Sequence, residues 1–183
     1  MVSLAGMMYR SSGCFRQKTM IKRDLRAHKA TPKRLTDVPT FKPQARNKLP
    51  KPFKKLGGER IRSTGMLEVS DDHVAFMFWR DGALLTDRSF YGYLFARLAE
   101  GRLGPVFEFH WHPSHKPIHC KVPCKTTSDF TDRTLRQAPE LELRTSSCLD
   151  PKNPEELAQL VVQFCNSCGI DLPDNDPNTM RLC

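Results

Sequence analysis

Residues 106–112, Val-Phe-Glu-Phe-His-Trp-His, alternate apolar and polar side chains from their second position onward. Alternation with a period of two is typical of a β-strand that lies in a sheet with two different faces. The apolar face then carries Phe107, Phe109 and Trp111, and the polar face carries Glu108, His110 and His112. The stretch therefore predicts a strand whose apolar face packs the core and whose polar face aligns a carboxylate with two imidazoles.

This strand opens a segment that is dense in histidine and cysteine. Residues 110–124 contain four of the six histidines and two of the seven cysteines of the chain. Imidazole and thiolate are ligands that zinc prefers, so the density predicts a metal site, with Zn as the metal. The predicted ligands are Glu108, His110, His112, His115, Cys120 and Cys124. The alternative interpretation is that the polar face of the strand is simply the solvent side of a sheet.

The same imidazoles suit proton transfer, because histidine titrates near neutral pH. In this second interpretation the catalytic groups are His110, His112, His115 and His119. The chain would then be a small metal-dependent or histidine-based hydrolase, similar to a ribonuclease. Its histidine- and proline-rich segment is similar in composition to the end of small toxins from bacterial toxin–antitoxin pairs. The sequence does not decide whether the protein is an enzyme.

Further strands are predicted on both sides of this segment. Residues 118–122 are expected to pair back against the first strand, and residues 65–69 and 73–79 are expected to form two strands joined by a tight turn. Residues 89–100 are predicted to be helical, because apolar side chains recur at helical spacing and Gly101 follows as a stop.

A second helix is predicted near the carboxyl end of the chain. Asn153 supplies an N-cap, Pro154 suits the first helical position, and Gly169 suits a left-handed C-cap. Two cysteines, Cys165 and Cys168, fall in its last turn. We expect them to be core residues, with a zinc site shared with Cys120 and Cys124 as the first alternative and a redox dithiol as the second.

Together these elements predict an α+β fold: a small, mainly antiparallel sheet of about four strands with two packed helices, preceded by a disordered basic arm. The predicted organisation is a proline-rich flexible arm over residues 1–56, a core domain over residues 57–170 and an acidic tail over residues 171–183. A transit peptide within the arm remains an alternative. No apolar run approaches the length of a membrane span, and the odd cysteine count favours reduced thiols, so we expect a soluble cytoplasmic protein.

Charge is distributed unevenly along the chain. Residues 1–62 contain seventeen Lys and Arg against three acids, whereas residues 63–183 contain twelve against seventeen. A basic segment with few aromatic residues favours contact with the phosphate backbone. We therefore expect a nucleic-acid-associated protein that binds DNA or RNA, with an acidic protein as the alternative partner. The predicted contact residues are Lys18, Lys22, Arg23, Arg26, Lys29, Lys33, Arg34, Lys51, Lys54 and Lys55.

Overall fold

A computed structural model describes residues 27–49, 51, 53–113, 118–121 and 149–173 of the 183-residue chain. Its main element is an antiparallel sheet in which the strands neighbour each other in chain order. The six strands are β1 (Lys42–Gln44), β2 (Gly58–Ser70), β3 (His73–Arg80), β4 (Ser89–Arg97), β5 (Leu103–Trp111) and β6 (Ile118–Lys121). One long helix, α1 (Pro154–Cys168), follows them. The described part of the chain is therefore α+β, as predicted, with more strands and fewer helices than expected.

The prediction of a helix over residues 89–100 is wrong. Residues Ser89–Arg97 form β4, which pairs along its whole length with β3 and β5. Alternate side chains of β4 enter two separate apolar clusters: Phe90 and Leu94 on one face, Tyr91, Tyr93 and Phe95 on the other. Because both faces are apolar, the period of two is hidden in the sequence, and the spacing of four between Phe90 and Leu94 resembles a helical pattern.

The predicted strands around the histidine-rich segment are confirmed. The strand over residues 106–112 corresponds to β5, and residues Ile118–Lys121 pair back against it, with Phe109 opposite Cys120 and His110 opposite His119. The two strands predicted at 65–69 and 73–79 lie within β2 and β3, joined at Ser70 and His73. All four belong to one sheet.

The sheet separates two apolar clusters. On the helix face, strand residues such as Phe107, Phe109 and Trp111 pack with α1 residues Phe164 and Cys165. Phe76, Phe78 and Phe95 occupy the opposite face, which we call the aromatic face, and they pack with Leu49 and Phe53 from the segment before β2. Neither face of the central strands is the bare solvent side that an alternating pattern usually indicates.

The carboxyl-terminal helix forms as predicted. Its N-cap is Asn153, whose side chain accepts a hydrogen bond from the backbone N–H of Glu155 at 3.0 Å, and Pro154 begins the helix. Gly169 ends it in the left-handed conformation, with φ of 64°. A Cβ at Gly169 would also lie 2.3 Å from the backbone oxygen of Lys29. Both the positive φ and the lack of space for a side chain therefore favour glycine here.

Part of the predicted flexible arm belongs to the fold. Leu35 and Leu49 are buried, β1 pairs with β2, and Phe53 enters the aromatic face. The physical reason is that apolar residues are interspersed among the lysines and prolines, and several of them pack against the sheet. Residues 1–26, and the predicted tail beyond residue 173, lie outside the described residues.

Candidate functional site

A buried carboxylate and imidazole lie together on the aromatic face of β5. Nε2 of His110 lies 3.0 Å from Oε2 of Glu108, and both side chains are about nine-tenths buried. The two residues are spaced by two on one strand, so the pleat brings their side chains to the same face. A carboxylate that holds an imidazole by one ring nitrogen fixes its orientation, which is the arrangement general acid–base catalysis uses.

Two tyrosines of β4 surround this pair. Tyr93 lies opposite Glu108 in the register, and Tyr91 lies opposite His110, with their ring centroids 4.9 Å apart. Burial, together with the charge of Glu108 and the neighbouring Tyr91, raises the pKa of Tyr93. Tyr93 is therefore a neutral phenol at physiological pH, with an O–H that can donate a hydrogen bond.

The site extends on one side to His112. Its ring centroid lies 6.4 Å from that of Tyr91, and its side chain is half-buried. On the other side the rings of Phe78 and Tyr93 are stacked, and the ring centroids of Phe53 and Tyr93 lie 4.8 Å apart. The histidine-bearing end of the aromatic face is thus joined by packed rings to the segment that precedes β2.

That segment carries a dense set of exposed cations. Between residues 42 and 60, which we call the basic edge segment, Glu59 is the only acid, and all seven lysines and arginines are exposed. These cations are Lys42, Arg46, Lys48, Lys51, Lys54, Lys55 and Arg60. The fold therefore presents a concentrated positive charge at the β1 side of the sheet.

The basic edge segment is held in a defined conformation. Leu49 and Phe53 anchor it in the aromatic face, and the backbone N–H of Asn47 donates to the oxygen of Lys54 at 3.0 Å. At Gly57 the backbone passes so close to Arg46 that a Cβ would lie 2.7 Å from its nitrogen. At Gly57 two parts of the backbone therefore lie in direct contact, and only glycine leaves room for it.

The predicted nucleic-acid contacts fall into three groups. Lys51, Lys54 and Lys55 are exposed in the basic edge segment, and Arg34 is also exposed. Lys29 is half-buried, and Lys33 is only 2% exposed, so Lys33 lies out of reach of a phosphate in this fold. The other four predicted contacts lie outside the described residues: Lys18, Lys22, Arg23 and Arg26.

Among the predicted metal ligands that the structure describes, Cys120 does not lie with Glu108 and His110. Cys120 lies on the helix face of β6, whereas Glu108 and His110 lie on the aromatic face of β5, so the sheet separates them. The reason is again the pleat: Cys120 pairs with Phe109 and shares its face. Within the described residues no group of three or more His, Cys, Asp or Glu side chains is placed to hold a metal ion. His115 and Cys124 lie outside the described residues, as does the side chain of His119.

The described cysteines are core residues. Cys120, Cys165 and Cys168 are each at most 1% exposed and belong to the helix-face cluster. Burial raises the pKa of all three thiols, that of Cys165 to about 12. They are protonated at neutral pH, in agreement with the prediction that Cys165 and Cys168 are structural.

Sequence reasoning did not single out the two tyrosines, because it placed them on a helix. Their signal was aromatic enrichment, which is typical of strands.

Comparison of this chain with family models, with curated proteins and with solved structures found no match. Among the described residues, no helix has the length and apolar character needed to cross a bilayer.

Proposed function

We propose that this protein associates with nucleic acid through the basic edge segment, which contacts the phosphate backbone. The observation that carries the proposal is the set of seven exposed cations held on the fold between residues 42 and 60. Lysine and arginine that neutralise phosphates release counterions, and this supplies affinity without sequence readout.

The anchoring of the segment supports the proposal. Phe53 is packed among Phe76, Tyr93 and Phe95, and the exposed Lys54 and Lys55 follow it directly. A cation whose backbone is already fixed loses less conformational entropy on binding than one on a flexible chain. The proposed surface therefore differs from a solvated tail that only increases solubility.

The test is a triple variant, Lys51→Gln, Lys54→Gln and Lys55→Gln, whose affinity for a labelled duplex and a labelled single-stranded RNA is measured by fluorescence anisotropy across salt concentrations. If all three contact phosphates, the slope of log K against log salt decreases by about 2.7 for duplex DNA, because each contact contributes about 0.9. We expect the loss of affinity to be the same for unrelated sequences.

The matched control removes three cations from other surfaces, with Arg97→Gln, Arg102→Gln and Lys152→Gln. Net charge changes equally, so a general electrostatic effect would weaken both triple variants alike. Equal loss in the two variants, or no loss in the first, would contradict the proposal. Binding of the parent to an acidic protein but not to either nucleic acid would favour the alternative partner.

A second candidate function is histidine-based hydrolysis, and the Glu108–His110 pair favours it. The imidazole is held at 3.0 Å by a carboxylate, with the phenols of Tyr91 and Tyr93 beside it. In this function His110 acts as general base, and His112, half-buried next to Tyr91, is the candidate general acid. These two roles are proton transfers that the histidines can perform without a metal. A Zn site that includes His115 or Cys124 stays a prediction.

Glu108→Gln tests this candidate, since glutamine keeps the shape of the side chain and removes the charge that orients His110. Cleavage of a fluorescent RNA substrate is expected to fall by about 10²- to 10⁴-fold, the usual contribution of general acid–base catalysis. Glu68→Gln serves as a control, because it removes the same charge from an exposed glutamate away from the site. An RNA-binding parent that cleaves no RNA or DNA substrate would exclude the second candidate and leave the first intact.

A further inference from the structure

A second pair of histidines lies away from the candidate site, where the segment before β1 meets the β2–β3 turn. Nδ1 of His28 lies 2.9 Å from Nε2 of His73, so one ring nitrogen donates a hydrogen bond to the other. His73 is buried, and its Nδ1 lies 3.0 Å from Oγ of Ser70. Both ring nitrogens of His73 therefore have hydrogen-bond partners inside the protein.

A buried lysine completes this cluster. Lys33 is 2% exposed, and its Nζ donates to the backbone oxygens of His28 and of Thr31, the latter at 2.7 Å. Its amine thus closes the short turn that presents His28 to His73. Two buried groups that can carry positive charge, His73 and Lys33, are thus held together with the half-buried His28.

The same segment is joined to the fold by backbone hydrogen bonds. The N–H of Arg34 donates to the oxygen of Val69 at 2.8 Å, and the N–H of Leu35 donates to the oxygen of Asp171 at 2.9 Å. In return the N–H of Asp171 donates to the oxygen of Lys33 at 2.8 Å. Residues 28–35, which we call the docked segment, thus connect the end of β2 with the chain that leaves α1.

The His28–His73 hydrogen bond requires an acceptor, and an imidazole that carries two protons has none. One proton can be added to the pair without loss of the bond, because the other ring still accepts. A second proton makes both nitrogens donors and places two cationic rings, with centroids 5.2 Å apart, beside the ammonium of Lys33. Like charges at this distance in a buried place repel strongly.

We propose that the His28–His73 pair is an acid-sensitive latch that holds the docked segment on the sheet and releases it when both imidazoles become protonated. The ligand that triggers release is the proton, and the bistable element is the docked segment. The proposal is independent of phosphate binding by the basic edge segment and of hydrolysis at Glu108 and His110, since His28, His73 and Lys33 belong to neither site.

The charges around the latch have the right balance for such a switch. Burial, followed by the nearby Lys33 and His28, lowers the pKa of His73, while Asp72 opposes this effect. Burial likewise lowers the pKa of Lys33, against the opposing influence of Cys168 and Asp171. The acids at the cluster therefore reduce the repulsion without removing it, and the folded state resists the second proton.

The sign of the effect follows from these shifts. A histidine whose pKa is lower in the docked state than in the free state binds more protons when released. Docking is then strongest above the free pKa of about 6.5 and weakens as the pH falls through the lower value of the docked state. If release takes up one proton, the docking equilibrium changes about tenfold per pH unit in that window.

The experiment is amide hydrogen exchange by NMR on the full chain between pH 7.5 and 4.5, with each rate corrected for the intrinsic pH dependence. The reporters are the N–H groups of Arg34 and Leu35, which are donors in the docked segment. The internal control is the central sheet, where Ala75 pairs with Leu94. Below about pH 6.5 we expect the protection of the two reporters to fall about tenfold per pH unit while the central sheet stays protected.

His28→Gln is the decisive variant, because glutamine can donate and accept a hydrogen bond but takes up no proton. We expect its reporters to keep their protection across the range in which the parent loses it. Equal acid release in the parent and the variant, loss of protection by sheet and segment together, or no loss in the parent would each overturn the proposal. If the variant fails to fold, titration of the C2 protons of the parent decides: two separate steps for His28 and His73, with release at the second, support the latch, and independent titrations refute it.

Discussion

Cys165 lies on α1 with no exposed surface, and burial raises its thiol pKa to about 12. A buried, protonated thiol is a poor nucleophile, so at this residue the environment suppresses the reactivity that the side chain could offer. The sequence could indicate this outcome, because Cys165 and Cys168 fall within the helical pattern that also places Phe164.

We expect Cys165→Ser to lower the free energy of unfolding by about 1–3 kcal/mol, since it buries a hydroxyl where the structure offers an apolar surrounding. Cys165→Ala removes the sulfur without adding a polar group and should cost less. The measurement is urea denaturation of both variants with and without a chelator. An effect of the chelator on the parent, similar in size to that of the serine substitution, would instead indicate a structural metal.

His110 illustrates the limit of sequence reasoning at this scale. Alternation correctly grouped it with Glu108, but an alternating strand does not show what covers its polar face. From the sequence alone, alanine at His110 and His112 together is expected to cost no more than about 1 kcal/mol, as on a solvated surface. Because Glu108 and His110 are both buried and bonded to each other, we now expect a larger cost, as removal of His110 leaves a buried carboxylate without that partner.

At the scale of elements, the contact between β4 and α1 depends on a glycine. A Cβ on Gly92 would lie 2.5 Å from Cδ2 of Phe164, which is fully buried, so the ring packs directly on the strand backbone. Gly104 offers a matched comparison in β5. There the atom nearest to an added Cβ is Cδ1 of Leu98 at 2.9 Å, the end of an exposed and movable side chain.

Gly92→Ala is expected to destabilise the fold by about 1–3 kcal/mol through overpacking, and Gly104→Ala by clearly less. The double variant Gly92→Ala with Phe164→Leu should recover part of the loss relative to the sum of the two single variants, because the smaller side chain leaves room for the new methyl. Thermal unfolding of these variants and the parent measures this coupling. Strictly additive effects would show that the strand and the ring do not meet in this way.

The elements that the sequence predicted well have one distinctly apolar face or recognisable capping residues at their ends. Alternation identified β5, and Asn153, Pro154 and Gly169 marked both ends of α1. The element that it predicted wrongly, β4, is apolar on both faces, and its aromatic residues fit two periods at once. The docked segment was missed for another reason: its pairing partners, Val69 and Asp171, are distant in sequence and leave no local pattern.

At the scale of the whole molecule, the segment before β2 is part of the core. Leu35 and Leu49 are each less than a tenth exposed, and replacing one buried leucine by alanine typically costs about 2–5 kcal/mol. A chain that starts at Gly57 loses both, together with β1. We expect it to be unfolded or strongly destabilised, since a whole domain is stable by only about 5–15 kcal/mol.

A chain that starts at Ala27 keeps both leucines and β1 and is the control. Circular dichroism and thermal melting of the two truncated proteins provide the measurement. A cooperative transition near that of the parent for the chain starting at Gly57 would show that the earlier segment adds little. Most of the proposed nucleic-acid surface lies between residues 27 and 57. The chain that starts at Ala27 keeps this surface, and the chain that starts at Gly57 lacks most of it.

The order of the strands has a consequence for synthesis on the ribosome. Each strand pairs with the one made just before it, so the sheet can grow hairpin by hairpin as the chain emerges. The helix that covers Phe107, Phe109 and Trp111 is translated after every strand of the sheet. Until it emerges, the apolar surface that α1 covers in the finished fold lacks this helix, and a chaperone can bind there.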